Sequence, residues 1–199
     1  MRRIVAICCC FLMGLVLASA KELVRLEIQL GLNKGVEYLY VEKNAKKLAF
    51  EKPSYIESIK GLGQLDNLSV MIFNNTHFVA DFSFLKEAPH IKTLVISGVR
   101  ILDTQFLKHL SELEFLVLDT CRLKNIEFDF ISLQKLRFID LSNNDLDSFP
   151  NLKSINSLKS PLFMKINKGI VRSINKKLIT GTLAIAFIVA IPMRTPVKE

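Results

Sequence analysis

Residues 113–123 read LEFLVLDTCRL, and residues 136–146 read LRFIDLSNNDL. Both fit one frame, L-x-x-L-x-L-x-x-(N/C)-x-L. Its fixed positions are Leu113, Leu116, Leu118, Cys121 and Leu123 in the first stretch, and Leu136, Ile139, Leu141, Asn144 and Leu146 in the second. The offset is 23 residues. Apolar residues two apart share one face of a strand. Each L-x-L therefore reads as a short strand with two side chains inward and one outward.

The frame runs backwards through the chain. Ile91, Leu94, Ile96, Val99 and Ile101 fill it 22 residues earlier, and Leu68, Met71, Phe73, Thr76 and Phe78 fill it 23 before that. Ala45, Leu48, Phe50, Pro53 and Tyr55 give a degenerate copy, and Leu23, Leu26 and Ile28 a fainter one. The second half of the unit repeats too: Asp81-Phe-Ser-Phe84-Leu85-Lys86 aligns with Asp103-Thr-Gln-Phe106-Leu107-Lys108. Asp81 and Asp103 are good N-caps, so a short helix or turn is expected to return the chain after each strand.

In this period and these fixed positions the chain resembles the leucine-rich-repeat family, of the extracellular or membrane-anchored type, over about residues 22–158. The spacing lies inside the family's 20–29. The fold expected is an α/β solenoid with a short parallel β-sheet on the concave side and short helices or turns on the convex side. About six repeats start near residues 23, 45, 68, 91, 113 and 136. One such unit cannot bury its own face, so stability must come from stacking. The family's asparagine turns inward onto backbone groups, a role the resemblance gives to Asn144 and, as a weaker substitute, to Cys121. Val99 and Thr76 depart from it.

The resemblance also implies that the concave sheet face is the binding surface. The residue between the inward positions runs Glu27, Ala49, Ile72, Val95, Val117, Asp140. The column two residues earlier is Arg25, Lys47, Val70, Thr93, Phe115, Phe138, and the column two later is Gln29, Glu51, Asn74, Ser97, Asp119, Ser142. The centre is apolar and its margins polar, the make-up of an interface. Val70, Ile72, Val95, Phe115, Val117, Phe138 and Asp140 are the expected contact residues for a protein ligand or a second copy of the chain. The competing explanations are that β-branched residues simply suit a strand, or that a tail segment covers them.

The 27 basic and 19 acidic residues are unevenly spread. Residues 21–151 hold sixteen basic and eighteen acidic side chains, whereas 152–199 hold nine basic residues and one acid. A nucleic-acid-binding domain carries its basic excess on the fold itself, so nucleic acid is not expected as a partner. Residues 1–20 have the layout of a signal peptide: Arg2 and Arg3, an apolar run from Ile4 to Leu17, then Ala18-Ser-Ala20. Cleavage there removes Cys8, Cys9 and Cys10 and leaves Cys121 alone, without an internal disulfide. This points to the secretory pathway, with the chain secreted or held at the extracellular face of the plasma membrane.

Residues 21–158 then form the repeat domain, 159–177 a basic juxtamembrane segment, 178–193 a hydrophobic anchor helix and 194–199 a short tail. The alternative for 178–193 is a cap on the last repeat of a soluble secreted effector or decoy. Two N-x-S/T sequons, at Asn67 and Asn74, are candidate glycosylation sites. Asn67 is favoured, because a glycan on Asn74 would crowd the proposed face.

No enzyme is expected. His77, His90 and His109 lack metal-ligand spacing. The sequence has no phosphate-binding glycine loop and no nucleophile elbow. No cofactor or metal is expected either.

Overall fold

A computed structural model describes residues 22–31, 35–51, 55–74, 78–79, 81–126, 130–147, 162–167 and 185–191. The signal-peptide expectation for residues 1–20 lies outside them.

Eleven strands are described: β1 Leu23–Leu30, β2 Gly35–Glu42, β3 Lys47–Phe50, β4 Tyr55–Lys60, β5 Val70–Asn74, β6 Phe78–Val79, β7 Thr93–Ser97, β8 Phe115–Asp119, β9 Phe138–Asp140, β10 Leu162–Asn167 and β11 Ile185–Ile191. Four 3₁₀ helices lie between them: η1 Leu62–Gln64, η2 Ser83–Glu87, η3 Gln105–His109 and η4 Phe130–Ser132. Seven strands form one parallel sheet in the order β11-β10-β9-β8-β7-β5-β3. Its register is the sequence frame made visible. Leu48 pairs with Met71, Met71 with Leu94, Leu94 with Leu116, and Leu116 with Ile139.

The inward positions of the motif make the core. Met71, Phe73, Leu94, Ile96, Leu116, Leu118, Ile139 and Leu141 are fully buried. Strands β5, β7, β8 and β9 are each entered through the same hydrogen-bond fork. The Lys92 carbonyl accepts from Glu114 N–H at 2.9 Å and Phe115 N–H at 3.0 Å, and the Glu114 carbonyl accepts from Arg137 at 2.9 Å and Phe138 at 3.1 Å. Asp81 Oδ1 accepts from Ser83 N–H at 2.7 Å and Asp103 Oδ1 from Gln105 N–H at 2.8 Å. Both aspartates sit one residue ahead of the N-caps, which are Phe82 and Thr104 rather than the expected Asp81 and Asp103, and η2 and η3 bury Phe84, Leu85, Phe106 and Leu107. A repeat of 22 residues leaves little chain for the return, so the turns are tight 3₁₀ pieces, a geometry used in short runs. The chain is a leucine-rich-repeat solenoid.

The structure corrects two expectations. First, Leu23, Leu26 and Ile28 do not begin the stack. β1 pairs antiparallel with β2 and with β4, and with β6 these make a second sheet in the order β2-β1-β4-β6. Strict alternation explains this: Val24, Leu26, Ile28 and Leu30 are buried together, and a hairpin needs only period two. Leu39 and Val41 of β2 pack on the same core. Arg25, Glu27 and Gln29 are consequently absent from the concave columns. Glu27 instead accepts from Lys60 Nζ at 2.7 Å.

Second, residues 185–191, expected inside an anchor helix over 178–193, form strand β11 beside β10. An all-apolar run carries no period that separates helix from strand, and Ile185, Ile188, Val189 and Ile191 are β-branched, which favours the strand. Among the described residues no helix is long and apolar enough to cross a membrane. Part of the expected basic segment 159–177 is likewise a strand. β10 continues the sheet, with Met164 beside Ile139, because the frame resumes two residues late after Pro161.

Candidate binding face

Between the inward side chains of each strand, the outward ones align in rows across the sheet. One row runs Lys47, Val70, Thr93, Phe115, Phe138 and the central row runs Ala49, Ile72, Val95, Val117, Asp140, Lys165. Parallel strands lie about 4.8 Å apart, so the positions of each row are direct cross-strand neighbours. Val70, Ile72, Val95, Val117 and Phe138 are half-buried, and Phe115 is 44% exposed. The Phe115 and Phe138 rings lie 6.3 Å apart at 35°, within the range of favourable aromatic pairs. Six of the seven expected contact residues therefore meet on one surface.

Asp140 does not behave as expected. It is only 8% exposed. Its carboxylate accepts from Ser142 N–H at 2.9 Å, from the Ser142 hydroxyl, and from Lys165 Nζ at 2.8 Å. It is a latch between β9 and β10 and closes the apolar strip on that side. Lys165, which completes it, escaped the sequence reading because the frame breaks at Pro161. The missed signal was the alternation of Leu162, Met164 and Ile166.

The polar margin is a network. Asp119 accepts from Ser97 Oγ at 3.2 Å, Thr120 Oγ1 at 3.1 Å and Asn143 Nδ2 at 2.7 Å. Thr120, Arg122 and Asn143 all have φ near +55°, which costs an L-residue roughly 1–2 kcal/mol. These are the sharp exits from β8 and β9. Beneath them, Asn144 Oδ1 accepts from Cys121 N–H at 2.9 Å and Leu123 N–H at 3.1 Å. Its Nδ2 donates to the carbonyls of Leu118, Leu141 and Ser142 at 2.6, 3.0 and 3.1 Å. One repeat earlier, the Cys121 thiol donates to Ile96 O and Asp119 O, each at 3.3 Å. Burial pushes this thiol up to about 12, with the Asp119 carboxylate adding to the effect. A thiol kept protonated is a poor nucleophile. The backbone of Val99 hydrogen-bonds the Cys121 sulfur and partly offsets that rise, while its side chain, fully buried in the same slot, supplies packing.

Asn67 is exposed in the turn before β5, as an acceptor site requires, whereas Asn74 ends β5 beside Ser97 and is half-buried. Among the described residues no three His, Cys, Asp or Glu side chains group as metal ligands.

No family model matches the chain. The solved structure of internalin C2 from Listeria monocytogenes is similar to it in fold, with a TM-score of 0.53 and 19% sequence identity over 64% of this chain. The match spans 56% of that protein. A second Listeria monocytogenes internalin, InlF, aligns at 20% identity with a TM-score of 0.41, over 65% of this chain and 46% of its own length.

Proposed function

We propose that this chain is a non-enzymatic recognition protein that binds a protein partner through the concave face of its repeat sheet. The observation that carries this reading is the pair of aligned strips: Val70 and Phe115 with Phe138 in one, Ile72, Val95 and Val117 in the other, in register and accessible. Large apolar side chains in a desolvated patch dominate binding energy, and polar rims exclude water around them. Phe115 is the natural anchor. The Asp119 network and the Asp140–Lys165 pair form the rim.

The place of action on this reading is outside the cell or on its surface, on the strength of residues 1–20. A membrane tether is a finer form of the same reading. It requires Ile185–Ile191 to leave the sheet and join a helix over 178–193. Alkaline carbonate extraction separates the two states, since a tethered chain stays with the membrane pellet.

The binding test uses Val95→Lys with Val117→Lys. Both side chains point away from the core, so the circular dichroism spectrum should match the native one. Partner capture by chemical crosslinking on the native chain should drop at least tenfold in the variant. Undiminished capture would remove the concave face as the binding surface.

A further inference from the structure

The two edges of the repeat sheet differ. At one, β3 is four residues long and begins with Lys47, preceded by Lys46. Short length and lysine are devices that keep an edge strand from pairing with another chain. At the other, β11 ends the strand order, and among the described residues its outer side has no strand partner. Its sequence, Ile185-Ala-Phe-Ile-Val-Ala-Ile191, holds no charge, proline or glycine. Such an edge is a template for strand addition.

What it would add is written in the same seven residues, which are nearly a palindrome. Laid antiparallel against itself about a twofold axis at Ile188, the strand sets Ile185 opposite Ile191, Ala186 opposite Ala190 and Phe187 opposite Val189. Small residues meet small ones and large residues meet large ones, the matching that stabilises cross-strand pairs. A twofold contact must be self-complementary in this way. Shifting the register by one residue would set alanine against larger neighbours and turn every side chain to the other face.

We propose that a second copy of this chain docks on the free edge of β11, β11 against β11 and antiparallel. The two repeat sheets then run into one another, with both concave faces on the same side. The contact closes on itself, because it uses the β11 edge of both copies and leaves the lysine-guarded β3 edges of the two repeat sheets outside. It is independent of what the concave face binds.

Sedimentation equilibrium of the purified chain in detergent-free buffer tests it. The native chain should have the mass of a dimer. Phe187→Lys with Val189→Lys, in the rows of Phe138 and Lys165 rather than the core row of Ile139, sets ammonium against ammonium across the axis and should halve that mass, as should Phe187→Glu with Val189→Glu. Mixing the two variants should restore the dimer with one copy of each. A second measurement does not depend on charge inside the strand. Ile188→Cys should form an intermolecular disulfide on mild oxidation, because directly opposed Cα atoms lie about 4.5–5.5 Å apart, within disulfide reach. Ile185→Cys should not, because its symmetry mate would lie about 20 Å away. A monomeric native chain would overturn the proposal. So would equal crosslinking at both cysteines, or a native chain that enters phosphatidylcholine vesicles and gains helix there.

Discussion

Asn144 shows how much of a repeat can depend on one side chain. It takes two buried N–H groups and gives to three carbonyls across neighbouring turns. Truncation leaves those groups without a partner in the interior, at about 1–3 kcal/mol for a buried polar group. Asn144→Ala should therefore lower the urea-unfolding free energy by about 3 kcal/mol, while exposed Asp145→Ala should change it by under about 0.5 kcal/mol. Cys121 gives a pH signature. Its thiol ionises near 9.0 when unperturbed and near 12 in the folded chain. Above pH 9 the unfolded chain releases this proton and the folded chain keeps it. Stability therefore falls as pH rises through 9 to 12, by at most about 1.4 kcal/mol per pH unit. Cys121→Ala should lack that slope in unfolding curves measured across this range. Thr120, β-branched at φ 55°, is a strained residue. Thr120→Gly should raise the melting temperature, with a gain of about 1 kcal/mol.

At the scale of elements, the core is held by aromatic rings that bridge strand and turn. Phe73 of β5 stacks on Phe50 at 5.2 Å and meets Phe82 edge-on at 5.3 Å. Phe73→Ala should cost about 3–5 kcal/mol in chemical denaturation, as a large cavity in a packed interior does. The elements differ in how far the sequence announces them. Strands β5, β7, β8 and β9 stand where the eleven-residue frame places them, because inward positions tolerate only apolar residues. β1 deceived the frame, since L-x-L is also plain alternation and a hairpin uses it equally well. β10 hid behind an offset of 25 residues between Ile139 and Met164. β11 hid because an unbroken apolar run has no period. The face was legible at Val95, Val117 and Phe115, whose rows follow from register alone. Asp140 was not, because its partner Lys165 is 25 residues away and no local pattern joins them.

At the scale of the whole molecule, each unit of the solenoid leans on its neighbours, so the same register that builds the core also lines up the outward side chains. Core and concave face are two readings of one period. The net charge of +8 says little about that face, because residues 21–151 are nearly balanced and the excess lies beyond them. Carbene footprinting of the chain, free and crosslink-stabilised with its captured partner, tests the central claim most directly. Labelling should drop on Val70, Ile72, Val95, Phe115, Val117 and Phe138 together, and stay constant on the exposed Tyr38 and Tyr40 of β2. Protection of β2 with the concave rows still labelled would contradict it.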